Sequence, residues 1–168
     1  MTQARKEASK DGDRTAVIGA NEAFYRAFGL GDFDAMDALW ARKAPVACIH
    51  PGWPALRDRA HVMESWRRIL QAPPSPPVRC MKATVTLLGD VAYVICYERL
   101  AQGLLVATNI FAREDGSWLL VHHQAGATAE SLADEGPSAR RRPPVEAEEG
   151  ELTGPAGDDA PPPRSKLH

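Results

Sequence analysis

With 168 residues, of which 44% are hydrophobic and 25% charged, and a net charge of −2, the chain has the composition of an ordinary globular protein, which gives no charge-based case for a nucleic-acid or membrane-surface partner. The charge is unevenly spread: residues 1–129 sum to +2 and residues 130–168 to −4, a mildly acidic appendage on a nearly neutral domain. No apolar run approaches the roughly 18 residues of a spanning helix, the polar stretch Met1–Arg14 predicts no secretory leader, and Cys48, Cys80 and Cys96, with no C-x-x-C pair among them, fit reduced thiols in a cytoplasmic protein.

Residues 1–12 read as a flexible lead-in. From about Asp13, Val17, Ala20, Phe24, Ala27 and Phe28 recur at helical spacing and predict a core-facing stripe. Gly29 and Gly31 bracket its end, and Asp32 then suits the N-cap of a short second helix with Phe33, Met36, Leu39 and Trp40 inward. Pro45–Ile49 predicts a short strand, cut off by Pro51 and Pro54, which cannot donate to a ladder. Asp58 suits the N-cap of a third helix with the stripe Val62, Trp66, Ile69 and Leu70, stopped by the proline-rich run at 73–77.

The second half is β. Val78–Leu88, Val91–Leu100, Leu104–Arg113 and Ser117–Gln124 are separated by short turn signals (Gly89-Asp90, Ala101-Gln102-Gly103, Glu114-Asp115-Gly116), which predicts antiparallel hairpins. Helices first and a meander after is an α+β order. Beyond Ala129 aromatic residues stop, and seven of the fourteen prolines fall within 137–163; residues 130–168 are therefore read as a disordered, Pro-rich acidic tail, a spacer rather than a docking motif.

Three side chains are candidates for chemistry. His50 ends a strand and is pinned by Pro51 and Gly52; at the rim of a pocket it would serve as a general base near neutral pH. Glu98 lies in an otherwise apolar strand, either as an exposed strand-end carboxylate or paired with a histidine that it orients. His122 and His123 are adjacent on the last strand and so point to opposite faces. His123 shares the more uniformly apolar set (Leu119, Val121, Ala125), which favours it as the inward one. Trp53 and Trp66 are candidate pocket walls. Cys48, His50 and His61 match no compact zinc spacing, so neither a metal nor a cofactor is predicted.

The order of these signals resembles the nuclear-transport-factor-two-like superfamily, and within it the SnoaL-like and ketosteroid-isomerase-like proteins. The residues that carry it are Gly31-Asp32-Phe33-Asp34, His50-Pro51-Gly52, the Asp115-Gly116 turn with Trp118 after it, and the histidine-rich final strand. The resemblance implies a cone-shaped, curved antiparallel sheet packed on three N-terminal helices across residues 13–129, with a pocket at the open end and a homodimer formed through the sheet. It also implies a small apolar organic ligand, bound or turned over by acid/base chemistry of isomerase, cyclase, dehydratase or hydrolase type. The alternative is a non-catalytic dimerisation or assembly module, since a fold does not carry one function. Laid onto this chain, the isomerase base and its two oxyanion donors fall on His50, Phe24 and Thr108. Phe24 cannot donate a hydrogen bond and Thr108 is neutral, while Tyr25 is one residue off and is expected to point elsewhere. Phe24, Thr108 and His122 therefore join Trp53 and Trp66 as ligand-contact candidates.

Overall fold

The computed structural model describes residues 3–72, 78–101 and 103–130. The tail at 130–168 lies, apart from its first residue, outside the described residues. Helix α1 (Gln3–Leu30) is followed by α2 (Phe33–Leu39), strand β1 (Ala47–Ile49), α3 (Arg59–Gln71) and four long strands, β2 (Arg79–Leu88), β3 (Val91–Leu100), β4 (Gly103–Glu114) and β5 (Ser117–Ala127). The strands form one sheet in the order β1-β5-β4-β3-β2, with β1 parallel to β5 and every other pair antiparallel. The sheet curves but does not close into a barrel, and the helices pack on its concave face. No described helix is long and apolar enough to cross a membrane.

Local chemistry explains most element ends. The Asp32 and Asp58 carboxylates accept the backbone N–H of Ala35 and His61, each at 2.9 Å, which caps α2 and α3. Gly31 adopts φ +66°, and a Cβ there would stand 3.2 Å from the Leu70 carbonyl, so the α1–α2 corner can approach α3 only with glycine. Helix α1 begins ten residues earlier than the apolar stripe predicts. Residues 7–12 are exposed and carry no stripe, and polar residues with fair helix propensity extend the helix from Gln3.

The core gathers Val17, Phe24, Met36, Trp40, Val62, Trp66, Val94, Phe111 and Leu120, all essentially inaccessible. Two side-chain anchors hold the pieces that carry β1. Arg59 donates to the Asp37 carboxylate and carbonyl and to the Ala41 carbonyl, tying α3 to α2. The Glu114 carboxylate accepts the backbone N–H groups of Arg42, Lys43 and Ala44, and these bonds hold its pKa below the usual carboxylate value.

Two β-bulges decide which side chains face inward. In β5, Ile110 pairs with His122 but Phe111 pairs with Leu120, so Val121 is an extra residue. Trp118, Leu120, His123 and Ala125 consequently share the buried face. His123 does point inward with Ala125, as alternation assigns, but before the bulge its companions are Trp118 and Leu120 in place of Leu119 and Val121, because the inserted residue reverses the pleat there. A second bulge, between Met81 and Thr84 with Lys82 at φ 51°, lets Cys80 and Val85 both pack on the core.

Candidate functional site

The parallel pairing of β1 with β5 brings Cys48 opposite His123 and leaves His50 just beyond the strand end. The turn after it closes through Trp53 N–H to the His50 carbonyl at 2.9 Å, with Gly52 at φ +80°. His50 and His123 are thereby held with ring centroids 6.5 Å apart. Glu98 enters from β3, and a carboxyl oxygen stands 4.0 Å from His123 Nε2. All three side chains are buried, at 4%, 2% and 3% exposure, and all three line one cavity of about 200 Å³. Its remaining wall is mainly apolar, including Phe28, Trp53, Trp66, Ile69 and Leu105. This is the pattern of a small-molecule site, an apolar concavity with a few converging polar groups.

Hydrogen bonds fix the imidazole tautomers. The single Ser65 hydroxyl proton goes to the Val62 carbonyl at 2.7 Å, so Ser65 Oγ must accept from His50 Nε2–H at 2.8 Å. His50 Nδ1 therefore carries the lone pair. His123 Nδ1 meets Asn109 Oδ1 at 2.6 Å, while the Asn109 amide nitrogen donates to Asn21 Oδ1 at 2.7 Å. The proton is thus on His123 Nδ1, and its Nε2 faces Glu98 with a lone pair. Burial lowers His50 to about 4 and, with help from the neighbouring His50 and His122, His123 to about 3. Both rings are neutral proton acceptors at pH 7.

Glu98 is the complementary group. Burial raises its pKa, opposed by a hydrogen bond from Tyr25 Oη at 2.7 Å. At 4.0 Å the His123 contact is too long for a hydrogen bond, and the opposed shifts favour a neutral acid beside a neutral base rather than an ion pair. Tyr25 itself is pushed up, chiefly by burial and then by Glu98, and remains a phenol. Its hydroxyl also touches Cys96 Sγ at 3.2 Å, and the Asn109 amide nitrogen lies 3.4 Å from it. A continuous polar chain thus runs behind the cavity from Asn21 through Asn109 to His123, and through Tyr25 to Glu98.

Of the residues singled out from the sequence, His50, Glu98, His123, Trp53 and Trp66 come together around the cavity. Glu98 is not an exposed strand end. Thr108 and His122 are corrected: both lie on the outer face, while their neighbours Asn109 and His123 are the buried ones. Phe24 is also displaced from the expected role. It is fully buried behind the wall, edge-on to Trp66 at 5.3 Å, and Phe28 takes the lining position. Tyr25, expected to point away, is inside. Helix α1 packs on the sheet and on α2 together, so its buried arc is wide enough for adjacent residues. Asn21, Ser65 and Asn109 were not singled out at all. The sequence signal for Asn21 was a polar residue at helical spacing within an apolar stripe, four positions after Val17 and four before Tyr25. Among the described residues no three His, Cys, Asp or Glu side chains form a group that could hold a metal ion.

A curved, unclosed sheet with helices on its concave face and a polar cluster in an apolar cavity defines the nuclear-transport-factor-two-like class of α+β proteins. Within it, residues 17–130 match the family model of the SnoaL-like domain, and the chain belongs to that family. A candidate dehydratase of the NTF2-like family from Streptomyces avermitilis is 34% identical, over 72% of this chain and 99% of that one, with a TM-score of 0.63. A candidate calcium/calmodulin-dependent protein kinase type II association domain from Thiobacillus denitrificans is 32% identical, over 65% and 92%, with a TM-score of 0.53. The F-box protein SKIP8 of Arabidopsis thaliana is 26% identical over 112 residues, and the chain spans about half of its length (48%).

Proposed function

We propose that this SnoaL-like protein binds a small organic molecule in the cavity and performs acid–base chemistry on it. The observation that carries the reading is the convergence of His50, Glu98 and His123 on one apolar cavity, with two imidazole lone pairs and one carboxyl biased toward its protonated form. His50 is the general base through Nδ1, held by Ser65. Glu98 is the acid, and the proton it gives up is made good by the one His50 removes, which His123 Nε2, facing Glu98 with a lone pair at 4.0 Å, can accept and pass on. The likeness to the Streptomyces dehydratase fits such a division of labour, in which one group removes a proton while another protonates a departing oxygen. A cavity that remains open beside His50, although Phe24, Phe28 and Trp66 cluster next to it, favours this reading over a purely structural module. Three unpaired cysteines support a cytoplasmic setting.

The test begins with a thermal-shift screen of small uncharged carbonyl and hydroxyl compounds against the purified full chain. Compounds that stabilise it are then incubated with the protein in deuterated water. The wild type should incorporate deuterium at a carbon or convert the compound, and His50→Ala should slow this at least about 100-fold. Stabilising compounds that neither exchange nor react would reduce the protein to a binding module and end the catalytic reading.

The outer face of the sheet supports a second, compatible role. Val91, Ile95 and Leu88 are exposed there, and the likeness to an association domain agrees with self-assembly through it. The proposed assembly is a homodimer with each cavity facing away from the shared face.

A further inference from the structure

Strand β2 is an edge of the sheet and carries Cys80, which is half-buried; its neighbour β3 carries Cys96, which is inaccessible. The register sets Cys80 opposite Glu98, two residues along β3 from Cys96. Side chains two apart on a strand share a face, and Cys80, Glu98 and Cys96 all point toward α1. The bulge between Met81 and Thr84 falls opposite Cys96, where the bulged strand bends. The Cys80 and Cys96 thiols hydrogen-bond each other. Each is also met from α1: Asn21 Nδ2 donates to Cys80 Sγ at 3.5 Å, and Tyr25 Oη lies 3.2 Å from Cys96 Sγ. The Cys96 contact holds the Cys80 thiol below its ordinary value, against burial and with help from Asn21. The same contact, together with burial, pushes Cys96 up. Of the two thiols, the one at the open edge is the readier thiolate, and the thiolate is the nucleophile. Cys48 is a built-in reference: it is buried on β1, the opposite edge strand, and burial pushes its thiol up to about 12.

We infer that Cys80 and Cys96 are a hydroperoxide-reactive thiol pair, with Cys80 at the sheet edge attacking and Cys96 behind it resolving, which closes into a disulfide between β2 and β3 beside the bulge. In the first step the Cys80 sulfur attacks one oxygen of the hydroperoxide. The S–O bond forms, the O–O bond breaks, and the departing alkoxide or hydroxide takes the proton that Cys80 released, leaving a sulfenic acid on Cys80. The Cys96 sulfur then attacks the Cys80 sulfur. The S–S bond forms, the S–O bond breaks, and the leaving hydroxide takes the Cys96 proton as water. The two thiols together lose two electrons and two protons, and the hydroperoxide is reduced to water and an alcohol, or to two waters if it is hydrogen peroxide. The cavity is lined by neither cysteine. The pair lies behind it, where the polar chain through Tyr25 to Glu98 begins. The inference therefore goes beyond the ligand-pocket reading and stands or falls separately from it.

The test treats the reduced full chain with hydrogen peroxide, blocks the remaining thiols with iodoacetamide under denaturing conditions, and maps the tryptic peptides. Cleavage after Arg79, Lys82 and Arg99 separates the two cysteines into peptides 80–82 and 83–99. The wild type should yield these two peptides joined, lighter by two hydrogens than their sum, in a chain that has not cross-linked to another. The link should form at least about tenfold faster than Cys48 is consumed, and dithiothreitol should reverse it. Cys80→Ser should leave Cys96 free to react with iodoacetamide after the same treatment. Cys96→Ser should leave Cys80 as a sulfenic acid that dimedone traps. If the buried Cys96→Ser variant does not fold, the wild-type map and the half-buried Cys80→Ser variant decide. Oxidation of Cys80 with no link to Cys96 in the wild type would overturn the pair and leave one reactive thiol. Cys48 oxidised as fast as Cys80, or three thiols that all survive the peroxide, would overturn the inference as well. None of these results bears on the pocket reading, whose test is ligand binding and exchange.

Discussion

Glu98 and the two histidines pull stability in opposite directions as pH changes, which makes their protonation states measurable. His50 and His123 have folded pKa values near 4 and 3, below the ordinary 6.5. The unfolded chain therefore binds more protons than the folded one between those values, so their contribution is complete above about pH 6.5 and is lost as pH falls toward 4. Glu98 is raised from 4.5. The folded form holds its proton more tightly, so its contribution is complete on the acid side and is lost as pH rises through the shifted value. Urea denaturation from pH 5 to 8 should show Glu98→Gln at least as stable as wild type at pH 7, because the amide still accepts from Tyr25 and no charge has to be buried. The loss of stability below pH 6.5 should persist in that variant, since it belongs to the imidazoles. A drop of about 3 kcal/mol or more at pH 7 would instead mean that a buried Glu98–His123 ion pair had been broken. On the proposed catalytic reading, the same depressed imidazole values place the acid limb of any His50-dependent rate well below pH 6.5 in the ligand-free protein, near pH 4.

At the scale of elements, the bulge at Val121 is what turns His123 into the cavity together with Trp118 and Leu120. Deleting Val121 would remove the extra residue, and regular alternation would then leave Trp118, Leu120 and His123 together on the buried face. Chemical denaturation should therefore register a loss of no more than about 2 kcal/mol for the deletion. A loss of about 4 kcal/mol or more would show that the bulge is needed for something other than the face it assigns. Asp58→Ala is a milder probe of the same logic: loss of the cap on α3 should cost about 1 kcal/mol. The contrast explains what could be read from the residues. Caps at Asp32 and Asp58, the turn after His50 and the hairpins depend on chemistry within a few residues, and all were legible. The register shifts at Val121 and Lys82 depend on pairing between strands, so period-two reading misses them and gives His123 Leu119 and Val121 as companions in place of Trp118 and Leu120, while Ala125 is placed correctly. Tyr25 and Asn21 were missed for a related reason. How wide an arc of α1 is buried depends on what packs against it, and no periodicity in the helix itself states that.

At the scale of the whole molecule, one face of the sheet is spent on the helices and cavity, and the other has no described cover. Cross-strand pairing places Leu88 beside Val91, Tyr93 beside Ile110, Ile95 beside Thr108 and Tyr97 beside Val106. These positions are the alternates of the buried Ala92, Val94, Cys96, Ala107 and Asn109, so they lie together on the outer face. Leu88 is 61% exposed, and Val91 and Ile95 are each 39% exposed. A contiguous apolar patch of this kind is uncommon on a monomer and marks an interaction surface. A second copy of the chain is the simplest occupant, because a twofold axis through the patch covers both faces with one self-complementary contact. Light scattering on the full chain should then give twice the monomer mass. Ile95→Glu, which buries a carboxylate in the middle of that contact without touching the cavity, should shift the mass to the monomer while leaving the far-ultraviolet spectrum unchanged. The variant should still bind whatever small molecule the wild type binds, since His50, Glu98, His123 and Trp66 all lie on the other side of the sheet. A wild type that is monomeric at every concentration tested would reject the dimer. An Ile95→Glu monomer that also lost ligand binding would mean that the two faces are coupled through the sheet, contrary to the independence argued here.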